Sequence, residues 1–265
     1  MLDNQSEDKK FVYYIEEPPI NSFTETFFAN YASIPISELR NHLVSVRERA
    51  WQKHNYPCLG RWSFLRHSIQ RSSIYKEILE KSKQENAKII DFGCCLGQDV
   101  RQLIYDGVSL DQIRGYDLDP FFIEQGYELF RDDILMNEKK VFGVGDIFDD
   151  KFLETIEPAD YVHVGSFIHL FDAETQRNVC QRLTRIAKYA ITGRQVGASV
   201  PAEHQKLSGS IGSKMMRHSP ESFASMWNDV TSGEWQVESA TLEAIDDVNG
   251  FGKILYFVVR KRKEH

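Results

Sequence analysis

AKIIDFGCCLGQD, residues 87–99, reads as a strand, a tight turn and the start of a helix, and the rest of the chain is interpreted around it. Lys88, Ile89 and Ile90 make the short, mostly apolar run that fills a buried parallel strand, and Asp91, Phe92 and Gly93 stop it abruptly. Gly93 and Gly97 bracket a compact loop, after which Gln98 to Leu103 resume with helical periodicity. Backbone N–H groups at such a helix start face outward toward a ligand, the arrangement of a nucleotide cradle. The competing reading is a strand-to-helix turn that holds nothing.

Spacing narrows the ligand. A dinucleotide fingerprint needs G-x-G-x-x-G, but counting from Gly93 the second and third positions hold Cys95 and Gln98. A P-loop needs a final Gly-Lys-Ser/Thr, and Asp99 would repel phosphate. S-adenosylmethionine remains, because its sulfonium and amino group tolerate Asp91 and Asp99.

Downstream, strand and helix alternate. Ile113–Asp117 reads as a second strand, followed by Asp119-Pro120 opening a helix through Leu129. Asp117 lies about 20 residues past the glycines, where an acceptor-only carboxylate takes both hydroxyls of a ribose; a helix cap is the alternative. Val141–Phe148 is a third strand, in which Asp146 is placed to accept an adenine amino group with Ile147 and Phe148 around the ring. Ala159–Leu170 is a fourth, followed by a helix from Asp172 to Lys188, and Tyr189–Gly193 is a fifth. Repeated alternation implies parallel pairing with ligands at the carboxyl ends of the strands. Residues 194–218, rich in Gly, Ser and His, read as a lid loop. A helix from Ser219 to about Val230 and an antiparallel pair, Trp235–Ile245 and Lys253–Arg260 turning at Asn249-Gly250, complete the pattern.

Upstream, residues 1–22 read as a flexible tail and arm, and 23–86 as a helical cap with helices at Ser37–Lys53 and Ser73–Lys83. Helices that merely cover a sheet edge are the alternative to a cap. Residues 87–265 form the main domain.

Composition excludes several classes. With 42% hydrophobic and 12% aromatic residues the chain can bury a core without staples. A net charge of -7 gives no footprint for nucleic acid or an anionic membrane. Four cysteines without C-x-x-C spacing indicate neither zinc nor disulfides, so no metal is expected. The polar N-terminus and the lack of a run of about 20 apolar residues point to a cytoplasmic protein. The oligomeric state is left open, with a homodimer compatible.

The segments DFGCCLGQDVRQLIYDGV, GYDLDPFFIEQGYELFRDD, GDIFD, SFIHLFD and GRQVG, with RERAWQKHNYPCLGRWSFL upstream, together resemble the fungal methyltransferases of meroterpenoid and related secondary-metabolite pathways, within the class I S-adenosylmethionine-dependent superfamily. The resemblance runs from about Arg47 nearly to the C-terminus. It implies a Rossmann-like α/β fold, a seven-stranded mostly parallel sheet with an antiparallel C-terminal strand and an N-terminal helical cap. It also implies S-adenosylmethionine as methyl donor and methyl-ester formation on a carboxylic acid of a terpenoid–polyketide intermediate. Asp91, Gly93 and Gly97 match the first motif of the superfamily, Asp117 and Leu118 its ribose-binding acid, and Asp146 and Ile147 its adenine contact. Cys95 departs from the central glycine. The donor set expected is therefore Asp91, Gly93, Cys94, Cys95, Gly97, Asp117, Leu118, Asp146, Ile147, Phe148 and Ser166.

Methyl transfer from a sulfonium needs alignment and exclusion of water more than acid–base chemistry. A carboxylate acceptor needs no base, whereas a hydroxyl does. His169 is the candidate base or orienter, against a core histidine; Arg194 is the candidate partner for an acceptor carboxylate, against an ordinary loop arginine. Tyr56, Trp62, His218 and Trp227 are candidates for a pocket around a small apolar acceptor, against core packing. A hydroxyl O- or C-methyltransferase and a non-catalytic S-adenosylmethionine-binding regulator remain as alternatives.

Overall fold

The computed structural model describes residues 14–205, 214–244 and 252–263. Its centre is a seven-stranded sheet. In chain order the strands are β1 (Ile89–Phe92), β2 (Ile113–Asp117), β3 (Phe142–Val144), β4 (Ala159–Gly165) and β5 (Ala187–Val196), then a separate hairpin of β6 (Ala202–Gln205) and β7 (Lys214–Arg217), then β8 (Trp235–Ala244) and β9 (Lys253–Lys261). The spatial order is β3-β2-β1-β4-β5-β9-β8. The five strands from β3 to β5 pair in parallel, and β9 runs antiparallel to both β5 and β8. This is the mostly parallel sheet the sequence predicts. Strand order reverses beside β1, which opens a crevice at the carboxyl ends of β1, β2 and β4.

Side chains alternate across this sheet with period two. Ile90, Phe92, Val162, Val164 and Ile191 face the helices Ala173–Ile186 and Pro220–Val230. Ile89, Ile113, Tyr161, Ala190 and Val258 face Tyr75–Glu85 and Gln98–Tyr105. A third apolar cluster joins the N-terminal helices to the sheet layer: Phe27, Phe28, Leu39, Leu43, Val46 and Trp51 pack with Leu96 of the cradle loop and with Phe122, Leu129 and Phe130. The N-terminal layer is thereby seated directly on the loop that the sequence singles out.

Several boundaries differ from expectation, each for a local reason. The helix Ser22–Ala32 is not signalled by a charged–apolar alternation, yet Phe23, Phe27 and Tyr31 recur at helical spacing and the Asn21 side chain accepts from Thr24 N–H as its cap. The next helix starts at Ile36, after Pro35 rather than at a Ser37 cap, and runs to Lys53. The expected strand Ala159–Leu170 ends at Gly165, because Ser166 turns to φ 63° and Ile168–Leu170 form a 3-10 turn. β5 extends to Val196 and so takes in Arg194, and the lid region carries β6 and β7 instead of irregular chain. Met216 N–H donates to Phe171 O at 2.9 Å and Gln176 Nε2 to Met216 O at 2.9 Å, anchoring that hairpin beyond β4. The Asn249-Gly250 turn lies outside the described residues.

Candidate active site

The cradle loop turns on three left-handed residues: Gly93 (φ +74°), Cys95 (φ 51°) and Gly97 (φ +70°). Gly93 N–H and Cys94 N–H both donate to Tyr116 O, at 2.8 and 3.0 Å, which ties the loop to the end of β2. A Cβ on Gly93 would stand 2.5 Å from the Phe167 ring, and one on Gly97 2.6 Å from both Arg101 Nη1 and the Phe142 ring. Cys95 occupies the central position with the backbone a glycine would take, a conformation non-glycine residues hold only where their surroundings enforce it. Its N–H donates to Asp117 Oδ2 at 2.8 Å, so the departure from glycine leaves this contact intact. Cys94 points the other way, buried with its Sγ 3.2 Å from where a Cβ on Gly115 would be. Burial pushes both thiols well above their ordinary range.

Asp117 ends β2. One carboxylate oxygen accepts from Cys95 N–H and the other from Asp119 N–H at 3.1 Å. Burial raises its pKa and the two N–H donors oppose that rise. An ionised carboxylate has about four acceptor positions, so two remain for a diol. Gly145 N–H donates to Asp117 O at 2.9 Å, binding the ends of β2 and β3 together and setting Asp146 on the neighbouring strand end. Asp146 Oδ1 accepts from Phe148 N–H at 2.9 Å. Leu118 is 53% exposed, an apolar side chain left open at the end of β2, while Ile147 is buried and Phe148 stands edge-on to Phe171. Acidic acceptors beside an open apolar platform and a glycine turn fit an adenosine.

Asp91, expected among the donor contacts, is the penultimate residue of β1. Its side chain is buried and accepts from His163 Nδ1 at 2.9 Å. Asp99 completes the cluster, accepting from Ile69 N–H at 2.9 Å and Ser68 Oγ–H at 2.8 Å. The candidate ligand atoms of Asp91, Asp99 and His163 lie within 4.8 Å of one another, but protein donors already occupy them. Burial works to lower the pKa of His163, and the Asp91 carboxylate, with Asp99 behind it, outweighs burial and holds it above the ordinary imidazole value. Burial likewise works to raise Asp99, and the His163 charge and the Ile69 N–H bring it below the usual carboxylate range. His163 is a residue the sequence reading missed. Its signal was a polar residue on the inward face of the YVHVG strand, in line with Tyr161.

On the other side of the crevice, Ser166 N–H donates to Arg194 O at 2.7 Å. The Arg194 Nε is buried with no hydrogen-bond partner among the described residues. Its guanidinium is near enough to act electrostatically on both His163 and Cys58. Cys58, in the single turn Pro57–Gly60, also feels Asp117 and adjoins Cys95, so this turn of the N-terminal layer lies near both Asp117 and Arg194. Burial pushes the Cys58 thiol up to about 11. His169, 8% exposed, sits in the 3-10 turn just past β4, against which β7 packs. Tyr56 is half-buried, stacked on His54 at 5.1 Å and 5.6 Å from Phe122, and His54 hydrogen-bonds Asp119 at 3.2 Å. It therefore belongs to the rim beside Asp117.

Two pocket candidates are not brought to the crevice. Trp62 is fully buried, its indole N–H donates to Ile15 O at 2.8 Å, and the Arg47 guanidinium lies 4.0 Å over its ring. Trp227 is fully buried in the core under the sheet against Phe223. An indole without exposed surface has none to offer a ligand. His218, 5% exposed and bonded to Ser222 Oγ at 2.8 Å, lines a separate cleft with Ala173, Arg177 and Met226 between two helices, and burial lowers its pKa to about 4.

Known proteins resemble this chain in sequence and in fold. A family described as the meroterpenoid methyltransferase N-terminal domain matches residues 13–65. The O-methyltransferase atr3 of Stereocaulon alpinum is 33% identical over 91% of this chain and 70% of its own length. The methyltransferase prhM of Penicillium brasilianum is 30% identical over 84% of this chain and 81% of its own. Among solved structures, the 1,6-didemethyltoxoflavin-N1-methyltransferase of Burkholderia thailandensis, with bound 1,6-didemethyltoxoflavin and S-adenosylhomocysteine, superposes with a TM-score of 0.54 over 87% of this chain and 93% of its own, at 11% identity. The magnesium protoporphyrin IX methyltransferase of Synechocystis, with bound S-adenosylhomocysteine, does so at 0.51 over 98% and 95%, at 8% identity. At those identities the likeness is one of fold.

Proposed function

The chain belongs to the fungal secondary-metabolite methyltransferases, the family of the meroterpenoid enzymes, and from that premise we propose that it methylates a carboxylic acid on a small apolar terpenoid or polyketide intermediate. The donor is S-adenosylmethionine, whose sulfonium supplies a methyl group already activated for displacement. Asp117 receives the ribose hydroxyls, Asp146 the adenine amino group, and Leu118 and Ile147 the ring. The N-terminal layer excludes water from above.

The observation that carries the choice of acceptor is Arg194, a cation with a buried and unpartnered Nε. A sulfonium and a guanidinium in one crevice repel each other, and a carboxylate acceptor compensates both. The acceptor carboxylate oxygen then forms a bond to the methyl carbon as the carbon–sulfur bond breaks, its electron pair staying on sulfur. The acceptor is ionised near neutral pH, so no proton has to move. A hydroxyl acceptor would instead require His169 as base.

Incubating the purified protein with methyl-labelled donor and matched carboxylic acids and phenols of terpenoid and aryl type tests this. Methyl esters are expected, with Arg194→Met abolishing ester formation while S-adenosylhomocysteine still binds. Methylation of phenols alone, or an Arg194→Met variant that esterifies at the wild-type rate, would reject the carboxylate.

A further inference from the structure

Donor and acceptor leave one feature of the crevice unused, the buried cluster of Asp91, His163 and Asp99. It joins three parts of the chain: the end of β1, the inner face of β4 and the first turn of the helix that opens at Gln98. A fourth part, Ser68 and Ile69 of the 3-10 turn that follows the N-terminal helices, hydrogen-bonds to it through Asp99 among the described residues, and Ile69 also packs against the sheet with Ile74, Ile78 and Tyr161. The packing against Gly165 is close enough that a side chain there would force a neighbour to shift. A Cβ there would lie 2.8 Å from His163 Cε1, 3.2 Å from Ser68 Oγ and 3.5 Å from Asp99 Oδ2.

Charge explains why the cluster holds. The groups facing His163 are Asp91 from β1, Asp99 from the helix, Arg194 from β5 and, beside Asp99, His67 from the N-terminal layer. Burial lowers the pKa of His67, with Asp99 and Asp106 opposing. His163 is hydrogen-bonded to Asp91 and lies within 4.8 Å of Asp99, each with almost no exposed surface, and burial raises the pKa of Asp91 against the pull of His163. Removing one partner of a buried ionic cluster leaves an uncompensated charge, which is far costlier than the loss of a surface pair.

We propose that His163 is a positioning residue: it holds Asp91 and Asp99 together, and through Asp99 it latches the Ser68–Ile69 segment to the donor cradle, coupling donor seating to closure of the N-terminal layer. Asp99 sits in the helix turn next to the cradle, so a ligand that settles the cradle also settles the acceptor for Ile69 N–H. In the other direction, a closed N-terminal layer keeps the cradle in its binding shape, as reciprocity of coupled sites requires. The coupling rests on the methyl-donor reading above, whereas the latch itself does not.

The test compares full-length wild-type protein with His163→Gln, following amide hydrogen exchange at residues 66–72 with and without S-adenosylhomocysteine, and measuring binding of that ligand by calorimetry. Glutamine keeps a donor toward Asp91 but not the charge. In the variant, Ile69 N–H is expected to exchange at least about tenfold faster without ligand, ligand should no longer slow it, and affinity should fall about tenfold. Adding Asp91→Asn to His163→Gln restores the net charge of the cluster and should recover slow exchange in the ligand-free state, which a merely space-filling histidine would not predict. Ser68→Ala removes one donor to Asp99 from the other side and should also speed Ile69 exchange, so the latch remains testable should His163→Gln not fold. Wild-type exchange rates in His163→Gln, or a double variant no slower than the single one, would overturn the proposal. If wild-type protein fails to bind S-adenosylhomocysteine, the donor reading falls and with it the coupling, while the ligand-free comparison still decides the latch.

Discussion

Replacing Gly126 by alanine puts helix propensity and packing in direct opposition. Gly126 lies buried in the helix Pro120–Phe130, where it meets the cradle loop edge to edge. A Cβ there would stand 2.4 Å from Leu96 O and 3.1 Å from Leu96 C. An ordinary carbon–oxygen contact is about 3.3 Å, so loop or helix must yield by roughly 0.9 Å. The loop is not free to retreat, because Leu96 O accepts from Arg101 Nη1 at 2.8 Å and Arg101 is itself held by Asp132 at 2.7 and 2.8 Å. In an exposed helix the substitution would add about 1 kcal/mol of stability. Overpacking against fixed backbone costs about 1–3 kcal/mol, and the shortness of this contact places it in the upper part of that range. The net expectation is a loss of about 1–2 kcal/mol, a fall in Tm of roughly 2–8 °C for a chain of this size. The displaced loop also carries Cys95, whose N–H orders Asp117, so affinity for S-adenosylhomocysteine should drop about tenfold. Differential scanning calorimetry and titration calorimetry on the same preparation measure both. A variant that melts higher and binds as tightly as wild type would refute the claim that helix and cradle meet through bare backbone.

Asp117→Ala removes the acceptor for two backbone N–H groups and for the ribose, so binding of S-adenosylhomocysteine should weaken roughly a hundredfold with the far-ultraviolet circular dichroism unchanged; equal affinity by calorimetry would remove the ribose assignment. His169→Ala should leave substantial turnover on a carboxylic acid and abolish turnover on a phenol, if either is accepted, and an equal collapse of both would mean that the residue orients the substrate or the structure instead. His218 is buried neutral with its pKa depressed to about 4, against about 6.5 in the unfolded chain, so the unfolded state binds the extra proton between those values. Its contribution is complete above pH 6.5 and is lost as pH falls toward 4, up to about 3 kcal/mol. Urea midpoints at pH 7.5 and 5 should therefore converge in His218→Gln relative to wild type, and an unchanged acid sensitivity would show that other groups carry it.

Local rules account for what the sequence determined by itself. Strand, glycine turn and helix at residues 87–99, the acids closing β2 and β3, and the alternation that makes the sheet parallel all depend on neighbours in the chain, where periodicity and turn chemistry act. Their order alone placed Asp117 and Asp146 at adjacent strand ends, 29 positions apart yet tied through Gly145 N–H to Asp117 O. What tertiary structure decided is which polar groups meet across the layers. The parallel register sets Asp91 beside His163, 72 residues away, and Asp99 finds its donors in Ser68 and Ile69, about 30 residues upstream. Trp62 and Trp227 look like pocket walls until packing buries them completely. A side chain's identity states what it can bond, but its burial and its partners are set by the segments that close over it, and those arrive from far along the chain.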